Sequence, residues 1–473
     1  MFIDLKPYDA YSPLGRSGLV EAPRGWKVKP MRTILRPRSE RNGSDLPLLS
    51  VARERGVFVR TAGDDNHNAI PEDLTNYKVA RAGDLVINKM KAWQGSLGLA
   101  PCDGLVSPAY FVYGVDFDDR YYLQALLRSR RYVDLFAAAS DGVRIGQWDL
   151  SINRFRGLPV LIPSSDEQAA IVKYLSYAHH RIDRAIAAKR KLIALLDEQK
   201  KSIINHAVTR GLDPTVPLQD SGVPSLGHIP EAWSLTTVGR LQVLVTSGSR
   251  GWSEHYSDTG PLFIQSGNLG RDISLNFART QRVDLPPAAE GVRTAVREDD
   301  VLVCITGALT GNVVHVRGAL GEPAYVNQHV ALIRLHPHVA HARFVAYVMH
   351  SVSGQQQFGA AEYGGTKQGL GLADVKRVAI PMPSLDEQHA IVAHIDRETG
   401  TVGAAIYRCR REIDLLREFR TRLSSDVVTG QFDVRQIAAM LPDLDPTELA
   451  ADVGTTEDDL VDETSGLLED VDA

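Results

Sequence analysis

The phrase PSSDEQAAIV at residue 163 returns as PSLDEQHAIV at residue 383, and no other feature of the chain restricts its fold as much. Displaced by 220 residues, 163–213 aligns on 383–433 without a gap, and 18 of the 51 positions are identical. The duplication continues upstream. Pro23/Trp26 and Pro230/Trp233 share P-x-x-W, GDLVINKMKAWQG at 83 parallels DDVLVCITGALTG at 299, and GVRIG at 142 parallels GTKQG at 365. A chain written twice in this way folds as two similar halves, each a variable region followed by a repeated segment. The stretch GLDPTVPLQDSGVPSLGHIP between them is rich in proline and glycine and reads as a linker.

Both copies of the repeated segment read as long helices. From Ile171 to Ile203 and from Ile391 to Leu423, residues at alternating steps of four and three are apolar at eight of ten positions in each copy, the pattern of a coiled-coil seam. Pro163 and Pro383 stand just ahead of the helices, with Ser164 or Asp166 and Ser384 or Asp386 as N-caps. Glu167 and Glu387 then complement the helix dipole in the first turn. The D-E-Q phrase is thus a helix start, and a structural joint explains it better than a catalytic motif. A helix of about 40 residues rises about 60 Å, and its simplest partner is its own twin. Polar residues on the seam, Lys189, Gln199, Glu398 and Glu412, would fix the register at some cost in stability.

The variable regions are different in kind. VARAGDLVINKMKAWQGSLGLA and GLVSPAYFVYGV, like REDDVLVCITGALTGNVVHV and AYVNQHVALIRL, are short apolar runs broken by glycine and read as strands; YYLQALLRSRRYVDLFAAAS and ARFVAYVMHSVSGQQQFGAA read as helices. The fold class is α+β, with two domains of about 150 residues and two long helices. Cys102, Cys304 and Cys409 lie far apart and imply neither a disulfide framework nor a zinc site. There is no long apolar stretch, which predicts a soluble, cytoplasmic protein with no membrane contact. The net charge of -5 is uneven: the last 39 residues carry -11, so residues 1–434 carry +6. A mildly basic body permits a polyanionic partner, and the acidic, aromatic-free tail from 435 to 473 predicts disorder.

Catalytic motifs are missing. The chain contains neither a G-x-x-x-x-G-K-[ST] phosphate loop nor a G-x-S-x-G elbow, and no N-P-P-Y or D-P-P-Y tetrapeptide. His336, His338 and His341 of HPHVAH read as surface histidines because no second ligand cluster accompanies them. The chain reads as a recogniser with no catalytic, metal or cofactor residues of its own. Loop residues able to hydrogen-bond base edges or phosphates are the candidate DNA contacts. In the first domain these are Lys89, Lys91, Trp93 and Gln94, with Arg144 and Gln147; in the second they are Thr306 and Thr310, with Lys367 and Gln368, and additionally Arg250, Gln265, Asn268, Asn327 and Gln328.

This organisation resembles the DNA-specificity subunit of type I restriction-modification enzymes. The resemblance is carried by P-x-x-x-E-Q-x-x-I at Pro163, Glu167, Gln168 and Ile171 and at Pro383, Glu387, Gln388 and Ile391, by the lead-in SGVPSLGHIPEAW at 221–233, and by the order of the duplicated parts. SPLGRSGLVEAPRGW, the N-terminal lead-in, matches less well, and the acidic tail lies outside the pattern. The resemblance implies a target-recognition domain at 1–162, a long helix at 163–213, a linker and second recognition domain at 214–382, and a second helix at 383–434. It further implies an antiparallel helix pair with pseudo-twofold symmetry, double-stranded DNA as the target, and docking of two methyltransferase subunits that use S-adenosylmethionine to methylate adenine. Restriction subunits using ATP and magnesium would complete the complex. The alternative class is a structural or adaptor protein whose domains bind peptide or RNA.

Overall fold

The computed structural model describes residues 5–16, 19–41, 46–53, 55–61, 74–142, 148–248, 251–284, 293–318, 320–361 and 369–442. The chain divides into two compact units: residues 1–188 together with the part of the second long helix from Arg411 onward, and residues 189–410.

The centre of the first unit is a four-stranded antiparallel sheet of β1 (Leu35–Arg38), β2 (Leu85–Asn88), β3 (Leu97–Leu99) and β4 (Tyr110–Val115), in the order β1-β4-β2-β3. Every residue of β2 is buried, because the sheet has a core on each face. Leu85 and Ile87 point into one core with Leu97 and Tyr113, while Val86 and Val112 point into the other with Leu49 and Val106. The period-two alternation thus separates two apolar clusters rather than core from water. Helix α1 (Arg120–Arg128) covers the larger cluster with Tyr122, Leu123, Leu126 and Leu127, and Asp119 caps it by accepting the N–H groups of Tyr121 and Tyr122 at 2.9 and 3.0 Å.

The first long helix, α2 (Ser165–Arg210), runs 46 residues. Strands Lys27–Pro30 and Pro159–Ile162 pair antiparallel immediately before it, so segments far apart in sequence close the domain together.

The second unit repeats the plan. Strands β5 (Gln242–Ser247), β6 (Val301–Cys304), β7 (Val313–His315) and β8 (Val330–Leu335) form an antiparallel sheet in the order β5-β8-β6-β7. This is the order of the first sheet. Val301, Val303, Ala331 and Ile333 face one core; Leu302, Cys304, Val330 and Leu332 face the other. Helix α3 (Ala342–His350) covers the larger core, and strands Ser234–Thr237 and Ala379–Met382 close the domain ahead of α4 (Leu385–Val428).

Each unit contains the beginning of one long helix beside the end of the other. In the first, Ile171, Leu175 and Ala178 of α2 share a core with Leu423, Val427 and Val428 of α4. In the second, Ile204, Ala207 and Val208 of α2 share one with Ile391, Val392 and Ile395 of α4. The two helices therefore pair antiparallel.

The phase of the pairing differs from the heptad reading. Leu192 is 44% exposed, and Gln199 and Glu412 are also exposed, whereas Ile186, Ile204 and Ile413 are buried. Isoleucines recur every 11 residues at 171, 182, 193 and 204, and Ile391, Val402 and Ile413 follow the same interval. An α-helix drifts about 20° per heptad, and an 11-residue repeat follows the natural twist of a nearly straight helix. Polar contacts join the two helices within the first unit: Arg420 Nη1 donates to Asp183 Oδ1 at 2.8 Å, and His179 Nε2 meets Ser424 Oγ at 2.8 Å.

Two further differences concern the ends. The folded body continues past residue 434, since Arg435–Met440 is a helix that buries Ala438 in the first core; the acidic segment from 443 lies outside the described residues. The N-terminal lead-in forms the same kind of hairpin as the internal one, with Tyr11–Arg16 pairing Leu19–Pro23 as Leu218–Asp220 pairs His228–Pro230. No helix among the described residues is long and apolar enough to cross a membrane.

Candidate nucleic-acid interface

Both long helices begin on the same joint. Ser164 and Ser384 stand at the N-cap, their Oγ atoms 3.4 and 3.3 Å from the nitrogens of Glu167 and Glu387. Gln168 and Gln388 are almost fully buried. Each donates Nε2 to the carbonyl of the proline that opens its phrase, Pro163 at 3.0 Å and Pro383 at 3.1 Å. Each also accepts a backbone N–H from the residue that caps the domain helix, Asp119 at 3.3 Å and His341 at 2.8 Å. Glu167 accepts the Tyr8 hydroxyl at 2.6 Å, and Glu387 accepts Trp233 Nε1 at 3.1 Å. Ile171 and Ile391 are fully buried one turn later. The phrase thus fastens a long helix to the α+β domain before it and, through Tyr8 or Trp233, to the lead-in segment of its own unit.

At the edge of each sheet two loops meet. In the first unit the loop after β2 carries Lys89, Met90 and Lys91 and then a turn of 3-10 helix at Ala92–Gln94, ended by Gly95 in the left-handed region. The backbone carbonyl of Lys89 accepts the N–H of Leu150 at 3.0 Å, and its ammonium pairs with Asp149 at 2.9 Å. Trp93 packs against Trp148 with ring centroids 5.1 Å apart, and its Nε1 donates to the Met90 carbonyl at 3.1 Å. Lys91 is exposed and Gln94 half-buried. Arg144 and Gln147 lie outside the described residues, immediately before Trp148.

The second unit builds the same junction with other chemistry. The carbonyl of Ile305, the counterpart of Lys89, accepts the N–H of Leu370 at 2.8 Å, and Thr306 bridges Gly369. Lys367 and Gln368, the two residues before Gly369, are outside the described residues, as is Arg250. Thr306 Oγ1 is hydrogen-bonded to His329 Nδ1, whose Nε2 lies 3.0 Å from Gln328 Nε2. Thr310 donates its hydroxyl to the Gly307 carbonyl at 2.7 Å.

Three further candidates are engaged within the fold. Asn268 is buried, its Oδ1 accepting the Gln265 N–H at 2.9 Å and its Nδ2 donating to the carbonyls of Asn276 and Arg279. Asn327 is buried and accepts the His329 N–H at 3.0 Å, as Ser107 Oγ accepts the Ala109 N–H in the first unit. Both asparagines shape loops. Gln265 is half-buried and donates Nε2 to the Tyr256 hydroxyl at 2.8 Å. Trp148 and His329 complete the two junctions but were not among the residues singled out from the sequence. Trp148 lies just past the GVRIG repeat, and His329 beside the candidate Gln328 in NQH, so proximity to those motifs was the available signal.

His336 and His338 are exposed, and His341 serves as the helix cap described above. Among the described residues no three His, Cys, Asp or Glu side chains are grouped so that they could hold a metal ion.

No protein-family model matches the chain. It is 19% identical over 441 residues, 88% of this chain and 95% of the other, to the protein of Methanocaldococcus jannaschii named for the specificity subunit of type I restriction enzyme MjaX. It is 24% identical over 294 residues, 59% of each chain, to the type I restriction enzyme EcoBI specificity subunit of Escherichia coli. A chain in a solved structure of the type I R-M system superposes with a TM-score of 0.61 at 16% identity, covering 87% of this chain and 99% of that one. Over nearly its whole length the chain is thus similar in sequence to a specificity subunit of a type I restriction enzyme, and in fold to a chain of a type I R-M system.

Proposed function

We propose that the chain is the DNA-recognition subunit of a type I restriction-modification complex, each α+β domain reading one half of a bipartite duplex site through the paired loops at its sheet edge. The observation that carries this reading is the repeated junction, Leu150 on Lys89 in one unit and Leu370 on Ile305 in the other. One scaffold holds two loop pairs in equivalent backbone geometry while their side chains differ, as two readers of unlike half-sites require. Base-edge contacts from such loops specify sequence, and lysines beside them position phosphates. The long helices offer the docking surface for two methyltransferase subunits, and restriction subunits join that assembly. S-adenosylmethionine, ATP and magnesium serve those partners, and the chain contributes recognition without catalysis.

The test is co-expression of the chain with its methyltransferase subunit, followed by methylome sequencing and footprinting. The expected result is adenine methylation in an asymmetric bipartite sequence, with two short protected patches flanking an unprotected spacer. Methyl transfer by the chain alone, or protection of one continuous patch, would refute the proposal.

A further inference from the structure

We propose that Met90 is the apolar base-reading group of the first domain, packing against the C5-methyl of a thymine in the major groove. This rests on the DNA-reading function proposed above. Met90 stands at the tip of the loop after β2 and is 55% exposed. Its backbone is held on both sides: its N–H donates to Asn88 Oδ1 at 3.2 Å, its carbonyl accepts Trp93 Nε1 at 3.1 Å, and the next N–H, that of Lys91, donates to the Asn88 carbonyl at 3.0 Å. Asn88 is itself buried, and the loop is tied to Asp149 and Leu150 on one side and to Trp148 through Trp93 on the other. The tip is therefore ordered before any ligand arrives, and only side-chain torsions remain to be fixed on binding.

The neighbouring charges orient this tip. Asp149 neutralises Lys89, which leaves exposed Lys91 as the adjacent cation, placed to draw a phosphate beside the apolar group. Methionine is unbranched and polarizable and adapts to irregular apolar surfaces. In the major groove the thymine methyl is the apolar feature of the base edges. The corresponding residue of the second domain, Thr306, is half-buried with its hydroxyl engaged by His329. The two readers thus differ in kind at this position, one presenting an apolar tip and the other a hydroxyl–imidazole pair.

The test uses the full chain with its methyltransferase partner and duplexes carrying the methylated sequence, each thymine replaced in turn by deoxyuridine, which lacks the methyl. In the wild type, one replacement in the first half-site should weaken binding about fourfold, the effect of removing one buried methyl group. Met90→Ala should bind the thymine duplex about as weakly as the wild type binds the substituted one, and be insensitive to the replacement; Met90→Leu should retain the discrimination. Because Met90 is exposed, neither variant threatens folding. Unchanged binding by Met90→Ala, or a full replacement penalty retained by it at every thymine, would overturn the role of Met90 while leaving DNA reading intact. Loss of all sequence selectivity in the wild-type complex would overturn both.

Discussion

The side-chain oxygen of Gln388 accepts the backbone N–H of His341 at 2.8 Å, as that of Gln168 accepts the N–H of Asp119 at 3.3 Å. Each glutamine thereby couples the first turn of a long helix to the cap of the helix that covers the larger core of its unit. Replacing Gln388 by leucine leaves the Pro383 carbonyl and the His341 N–H without this partner in a buried place. The expected cost is about 1–3 kcal/mol, read by denaturant unfolding. Gln388→Glu, which keeps the acceptor but places a charge in a buried site, should not restore stability. A leucine variant as stable as the wild type would remove the glutamine from the joint.

Asp300 is fully buried and bonded to Arg334 through two nitrogens, and it also accepts the Arg297 N–H at 2.7 Å. Asp84 occupies the same place in the first unit, accepting the Arg81 N–H at 3.0 Å and pairing with Arg38 at 3.1 Å. Arg334→Leu strands the buried carboxylate and should destabilise the second unit by about 3–5 kcal/mol. Arg38→Leu should cost less, because the Arg38 side chain is 45% exposed and water screens its pair. Unfolding of the two single variants side by side gives the comparison, and equal losses would contradict it.

Burial lowers the pKa of both His179 and His350 to about 4, with Arg420 adding to the effect at the first and Lys200 at the second. Unfolded, a histidine titrates near 6.5. Above that pH neither state binds the proton, and the lowered pKa has no effect on stability. As pH falls from about 6.5 towards 4 the unfolded state alone is protonated, so stability declines by up to about 3 kcal/mol for each group. His179→Gln should flatten the unfolding free energy over this window relative to the wild type. An unchanged slope would contradict the assignment.

Lys91 is exposed beside Met90. If it contacts a phosphate, Lys91→Ala should weaken binding to specific and non-specific duplexes alike and lower the slope of log affinity against log salt by about one. Binding titrations at several salt concentrations measure this. Loss of specific binding alone would assign Lys91 to a base instead.

The first unit contains Leu423, Val427 and Val428 from the far end of the chain, and the carbonyl of Val428 accepts the Tyr122 hydroxyl at 3.1 Å. A fragment of residues 1–215 lacks this strip. Ile203, Ala207 and Val208 are its counterparts across the 220-residue repeat, so a second copy of the fragment can supply them. Sedimentation should show a dimer, and with methyltransferase bound the methylated sequence should be symmetric. An asymmetric site identical to that of the full chain would refute two separate readers.

The sequence by itself determined the parts. Duplication across 220 residues required two similar halves, apolar runs broken by glycine marked β2, β4, β6 and β8, and proline–serine–acid clusters marked where α2 and α4 begin, because these are local signals of backbone conformation and periodicity. The tertiary structure decided what those parts touch. Whether Ile203 or Ile204 faces the partner helix depends on about 20° of helical drift per heptad, which accumulates over the length of the helix and is settled by packing. The roles of Gln168 and Gln388 depend on caps 49 and 47 residues away in sequence, and Trp148 reaches Trp93 because Leu150 is bonded to Lys89. Asn268 and Asn327 carry the same amide as a base-reading residue; burial among loop carbonyls and N–H groups alone turns them to holding the backbone. Composition and spacing fix which groups a loop contains, and long-range contacts fix which of them remain exposed.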